Sequence, residues 1–357
     1  MALAVHRHGR TVPFRTRLWT TVAEGSGCPM LGSMRRRALE FDPPPDLVAT
    51  MDRQRGVFTA RQAYAAGYAH DELQRLRDGK VLESVRRGVY TLREPYWSLG
   101  DQDRHRVDTT ACLLVLKQPT TLSHQTAAVW SRLPLLQPDL TNLHVTRPEL
   151  KASRREAGIH HHPGALPAAH VHEVNGVRVA VPARIAVDVA RTAPFRQGLA
   201  VVDSAVRDGT PLDEVRDVLV FCRSWAGARG ASRAVAAGDG RAANPGESFS
   251  RALLIEAGLA PTDLQVAIYD AEGLVGYADF GWLPLMVLGE FDGRQKYGEG
   301  SDSADVLWRE KRREDRFRAL GFEVVRWTWA DLFDPARFIA RLRAALARAQ
   351  ARGAVGA

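Results

Sequence analysis

Asp279, Glu290, Asp292 and Lys296 fall within one run, DFGWLPLMVLGEFDGRQK, that reads as two strands broken apart at Leu283-Pro284. Asp279 sits on the first strand. The second strand, Leu285 to Asp292, is mostly apolar and ends in acids. Glu290 and Asp292 are alternate residues, so a strand puts both on one face. Carboxylates clustered at the end of a buried strand are costly unless a cation compensates them. Oxygen ligands beside a lysine suit Mg2+ or Mn2+ and a phosphodiester.

These acids need a sheet and helices to hold them. Asn244-Pro245-Gly246-Glu247 is a strong helix start, with Asn as cap, Pro first and Glu third. Glu247 is expected to cap that helix and to share a face with Arg251, with a supporting role at the acids as the other reading. Strands are expected at 264–269, 274–282 and 285–292. A helix over 303–320, a strand over 323–327 and a terminal helix from Pro335 follow, giving the order α-β-β-β-α-β-α.

The chain has 357 residues, a net charge of +8 and a pI near 9.7. That size accommodates two or three domains, and the charge favours a polyanionic partner such as DNA. Cys28, Cys112 and Cys222 are scattered, which argues against a disulfide frame or a zinc site and for a reducing cytoplasm. No apolar run is long enough for a membrane helix, and no small-molecule cofactor is expected. Residues 1–50 lack a sustained period and end in Asp42-Pro43-Pro44-Pro45, so they read as a disordered extension, with Met34 or Met51 as alternative starts.

Residues 51–94 read as a winged helix-turn-helix. Thr59-Ala-Arg-Gln62 is a capping box opening one helix, a second spans His70 to Asp78, and a hairpin turns at Arg86-Arg87-Gly88. Arg75, Arg77 and Lys80 on or after the second helix, and Arg86 and Arg87 on the wing, are the expected DNA contacts. Residues 95–240 read as mixed α/β, with helices near 108–117, 124–131, 182–191, 198–207 and 212–221, and a linker ending the Gly/Ala/Arg-rich stretch 225–243. Ser123 is expected to cap the 124–131 helix rather than to work with His124 and Asp139, since no nucleophile-elbow pattern surrounds it. His160, His161 and His162 alternate faces on a strand, so all three cannot readily bind one ion.

VFTARQAYAAGYAHDELQRLRDGKVLESVRRGVYTL resembles the winged-helix domain of AbiEi-type antitoxins, and the Ser123-His124 segment resembles the middle part of AbiEi-like proteins. That resemblance implies DNA binding, repression of the protein's own operon and a possible toxin partner. Members often cap the second helix with Ser or Thr; Ala69 stands there in this chain. Within the expected last domain, 241–357, residues from about 244 to 335, with ADFGW, GEFDGRQKYG and REKRREDRFRALGFEVVRWTW, resemble the PD-(D/E)XK nuclease superfamily, closest to very-short-patch repair endonucleases. By that resemblance Mg2+ or Mn2+ on Asp279 and Glu290, with Asp292 direct or through water, would polarise the phosphate and acidify a bound water, and Lys296 would stabilise charge on phosphorus or orient the water. That likeness implies a restriction-endonuclease-like αβββαβ domain with Asp279 and Glu290 as metal ligands, Glu247 assisting, and Lys311, Arg312 and Arg313 holding phosphate. The superfamily expects Lys two residues after Glu290; Asp292 stands there, and Lys296 would have to replace it. The expectation is therefore an α/β multidomain protein that binds DNA and carries an endonuclease-like domain, with an AbiEi-like repressor whose last domain is not catalytic as the alternative.

Overall fold

Pro45 occupies the first turn of a helix, where its missing N–H costs nothing, and Leu47 and Met51 bury one face of that turn. This helix, α1 (Pro45–Arg53), corrects the expectation of disorder up to residue 50. The computed structural model describes residues 41–116, 120–293 and 304–355, so residues 1–40 of that extension lie outside the described residues. The chain divides into two compact units, Met1–Pro119 and Thr120–Ala357. Both are mixed α/β, and several sheets are present.

In the first unit α1 is followed by β1 (Phe58–Thr59), α2 (Ala60–Ala65), α3 (His70–Asp78), β2 (Leu82–Arg86), β3 (Val89–Leu92), α4 (Arg93–Ser98) and α5 (Asp101–Val115). The Thr59–Gln62 capping box forms in full: the Thr59 hydroxyl accepts from Gln62 N–H at 3.2 Å, and Gln62 Oε1 accepts from Thr59 N–H at 2.7 Å. Ala69 gives α3 no side-chain cap. The strands order as β1-β3-β2, all antiparallel, and the hairpin turns through Gly88 at φ 73°. Leu73 and Leu76 of α3 pack with Leu47, Phe58 and Leu82 in one core.

The second unit opens with β4 (Thr121–Leu122), α6 (His124–Trp130), β5 (Leu143–Arg147), β6 (Arg154–Glu156), β7 (Ile159–Pro163), β8 (Val171–Val174) and β9 (Val177–Ala180). These strands form a sheet ordered β6-β7-β5-β4-β9-β8. Helices α7 (Pro182–Thr192), α8 (Phe195–Arg207), α9 (Leu212–Phe221) and α10 (Ala228–Ala236) pack on one another. The stretch read as leading into a linker holds α10, whose Ala231, Ala234 and Val235 are buried. Its small residues serve close packing: a Cβ on Gly227, at φ 80°, would lie 2.0 Å from the Arg191 carbonyl oxygen.

Next come α11 (Pro245–Glu256), β10 (Asp263–Asp270), β11 (Gly273–Trp282), β12 (Val287–Asp292), α12 (Ala304–Ala319), β13 (Glu323–Thr328), α13 (Trp329–Phe333) and α14 (Pro335–Val355). The strands form a sheet ordered β10-β11-β12-β13, antiparallel except for the parallel β12–β13 pair. No break in packing occurs at the expected 240/241 boundary. Leu136 and Ala200 share a core with Phe249, Leu253, Phe280 and Trp327. Asp203 of α8 is fully buried, and both of its carboxylate oxygens accept from Nη2 of Arg251 of α11, at 2.5 and 2.7 Å. Arg251 therefore belongs to Asp203 and not to Glu247, its expected partner one helical turn away.

Candidate functional site

The fold does bring Asp279, Glu290 and Glu247 together. Phe280 pairs with Gly289 across β11 and β12, and Asp279 and Glu290 flank that pair. Asp279 Oδ2 accepts the Phe291 N–H at 2.8 Å. Asn244 caps α11, accepting from the Gly246 and Glu247 N–H groups at 2.9 and 3.0 Å. Glu247 folds back over that turn and accepts from Ala243 N–H at 2.7 Å and from Asn244 Nδ2 at 2.6 Å. Gln265 Nε2 adds a third bond to Glu247 at 3.0 Å and lies 3.4 Å from Asp279 Oδ1. Gln265 sits within β10 at φ 50°, a conformation that costs a non-glycine residue about 1–3 kcal/mol and that tends to mark special sites.

Burial, reinforced by the Asp279 charge, pushes the Glu247 carboxyl up to about 7. Asp279 is also raised by burial, against the pull of the Phe291 N–H. Glu290 is raised by burial and drawn back down by Arg326 and then Arg313.

The cation that the buried acids demanded is arginine. Arg326 of β13 is the register partner of Glu290 and pairs with its Oε2. Arg313 of α12 lies 2.8 Å from Glu290 Oε1. Both arginines also pair with Glu310, and Arg326 reaches Glu314 at 3.1 Å. Asp292 is exposed at the end of its strand. Among the described residues these acids do not converge as a group of three ligand atoms. The donors present thus do not fit a divalent ion in this arrangement: guanidinium groups face Glu290 on both oxygens, and one oxygen of Asp279 is held by backbone.

Arg313, expected to hold phosphate, points inward and also donates to the Tyr277 carbonyl at 2.9 Å. Lys311 and Arg312 are exposed. Lys296 lies outside the described residues.

In the first unit Arg75, Arg77 and Lys80 are exposed on or just beyond α3. Arg75 pairs with Asp71 at 3.1 Å and Arg77 with Asp78 at 3.3 Å. Such exposed pairs are worth about 0–1 kcal/mol, so a phosphate can displace the carboxylate. Arg87 is exposed at the hairpin turn. Arg86 is not: it is half-buried and close enough to Asp108 and Cys112 of α5 to oppose the upward push that burial gives both groups. Of the two expected wing arginines, Arg87 is the exposed one.

The sequence reading missed a histidine cluster. His160 and His162 share a face of β7, as alternation requires, and His144 on the adjacent β5 joins them. His124 stacks on His162 with ring centroids 3.8 Å apart. Ser123 gives α6 no side-chain cap; its Oγ lies 3.0 Å from His124 Nδ1 instead.

Residues 121–238 match the family model of the AbiEi antitoxin C-terminal domain. The matched segment runs from β4 through α10. The chain is 29% identical over 187 residues to the uncharacterized proteins MT2308 and Rv2248 of two Mycobacterium tuberculosis strains, spanning 52% of this chain and 68% of each of theirs. Among solved structures, that of the Rv2827c protein from Mycobacterium tuberculosis aligns with a TM-score of 0.35 and 15% identity, over 63% of this chain and 88% of that one. No described helix is long and apolar enough to cross a membrane.

Proposed function

We propose that this chain is a DNA-binding regulator of the AbiEi antitoxin kind, in which α2, α3 and the β2–β3 hairpin act as a winged helix-turn-helix. The observation that carries the reading is the AbiEi match over 121–238, preceded in the same chain by two helices and a hairpin. Leu73 and Leu76 anchor α3 in the core, which leaves His70, Gln74, Arg75 and Arg77 exposed for a major groove. Arg87 at the hairpin tip and Lys80 after α3 would contact phosphate on either side. A cognate toxin is the partner this reading adds.

In this reading the β10–β13 sheet is a folded domain of restriction-endonuclease-like plan that no longer hydrolyses DNA. Asp279 and Glu290 are both in place, but Glu290 is paired with Arg313 and Arg326. The test is a gel-shift titration of the full chain on DNA from its own upstream region against unrelated DNA. Supercoiled plasmid is incubated in parallel with Mg2+ and with Mn2+. Preferential binding without nicking is expected. Nicking that disappears in Asp279→Ala with Glu290→Ala would make the protein a nuclease, and binding with no preference would remove the repressor.

A further inference from the structure

His124, His144 and His162 come from α6, β5 and β7, so no local pattern announces them. One ring nitrogen from each lies within 4.8 Å of the others. His144 Nδ1 and His162 Nε2 are 3.0 Å apart, near the spacing of neighbouring ligand atoms around a small ion. His124 is 1% exposed and its Nε2 is buried without a hydrogen-bond partner. An orphaned buried nitrogen costs about 1–3 kcal/mol, and φ 50° at the first residue of α6 adds strain. A stability-driven site would not gather those costs on one side chain. The opposite nitrogen of the same ring lies against Ser123 Oγ, an arrangement that fixes ring orientation in metal-bound histidines.

We infer that His124, His144 and His162 hold a divalent transition-metal ion of the zinc class. Three imidazoles select zinc, cobalt, nickel or copper over magnesium, because nitrogen donors are too soft for the latter. Three protein ligands leave a coordination position open. His144 and His162 line a cavity of about 300 Å3, whose wall also carries Gln125, Asp139 and Gln197, so that position has space for water or a small anion. His160 is not one of the three histidines whose ring nitrogens converge; its Nε2 lies 2.8 Å from Ser153 Oγ. His161 faces the other side of β7, among Arg147, Arg154 and Glu156.

The hydrogen bond between His144 and His162 needs one ring proton, which on metal binding moves to the far nitrogen of its own ring. No net proton leaves, and both facing lone pairs become available.

The experiment uses the full chain without a histidine tag, stripped with EDTA and dialysed. It is titrated with Co2+, then Zn2+, while visible absorption and thermal unfolding are followed. One Co2+ per chain is expected, with ligand-field bands that Zn2+ abolishes, and the melting temperature rises with Zn2+. His144→Gln combined with His162→Gln should weaken Zn2+ at least tenfold, whereas Asp279→Ala combined with Glu290→Ala should leave it unchanged. Should the histidine variant not fold, X-ray absorption of the zinc-loaded wild type decides: three nitrogen ligands support the site and an oxygen shell overturns it. Absence of saturable one-to-one binding to the folded wild type, or undiminished binding in a folded histidine variant, also overturns it.

Discussion

Glu290 and Arg326 stand opposite each other in the parallel β12–β13 register and are joined by an ion pair, with Arg313 of α12 closing on the other carboxylate oxygen. The Glu290 side chain is 8% exposed and that of Arg326 is 34% exposed. Breaking a fully buried pair costs about 3–5 kcal/mol, and the solvent around Arg326 lowers this to roughly 2. Arg326→Ala is therefore expected to destabilise the chain by about 2 kcal/mol in urea unfolding. Mg2+ at 10 mM, order of magnitude ~10 times a weak dissociation constant, would add about 1.4 kcal/mol to a protein that bound it there. No such gain is expected for the wild type, and a clear one would show that an ion competes with the arginines.

Gly246 places the first turn of α11 against β12. A Cβ there would stand 2.2 Å from Phe291 Cε1 and 3.0 Å from Trp329 Cζ2. Gly246→Ala improves helix propensity by at most about 1 kcal/mol. Overpacking against two aromatic rings costs about 1–3 kcal/mol, so the clash wins. The variant is expected to melt lower than wild type, and adding Phe291→Leu should recover part of the loss. A variant as stable as the parent would mean that the ring moves freely, and with it the backbone that holds Asp279.

Glu247 gives the acid cluster a pH signature. Its folded value, about 7, exceeds the unfolded carboxylate value, so between roughly pH 4.5 and 7 the folded state binds more protons than the unfolded one. Its contribution is fully present below that window and is lost as pH rises through it, by at most about 1.4 kcal/mol per pH unit. Glu247→Gln removes this dependence. Stability measured at pH 5 and pH 8 should therefore fall less with rising pH in the variant than in wild type. Equal slopes would mean that the three hydrogen bonds to Glu247 keep it ionised throughout.

What could be read from residues alone was local. Thr59 with Gln62, and Asn244 with Glu247, announce their helices because cap and partner lie within one turn. Alternation along β7 separated His161 from His160 and His162. The helix α1 was hidden by its prolines: Pro43-Pro44-Pro45 suggests an extended tail, yet Pro45 starts a helix once Leu47 and Met51 have a core to enter. The arginines on Glu290 were illegible for a different reason. Arg313 lies on a helix and Arg326 on the next strand, and only the parallel register of β12 with β13 brings Arg326 level with the acid. His124, His144 and His162 needed a whole sheet and a helix to meet.

The two arginines of the β2–β3 turn should separate in function. Arg87 is exposed at the tip, whereas Arg86 is half-buried beside Asp108 and Cys112. One phosphate contact contributes about 0.9 to the slope of log binding constant against log salt. Arg87→Ala should therefore weaken DNA binding across sequences and flatten that slope by about 1, with the melting temperature unchanged. Arg86→Ala should do the reverse: it removes one of the two cations, with Arg104, that oppose the burial of Asp108, lowering stability by about 1 kcal/mol while the slope stays as it was. Salt titrations of both variants in gel shifts, beside their thermal melts, check the split. If neither variant alters the slope, the hairpin does not touch DNA and the winged-helix reading fails at its wing.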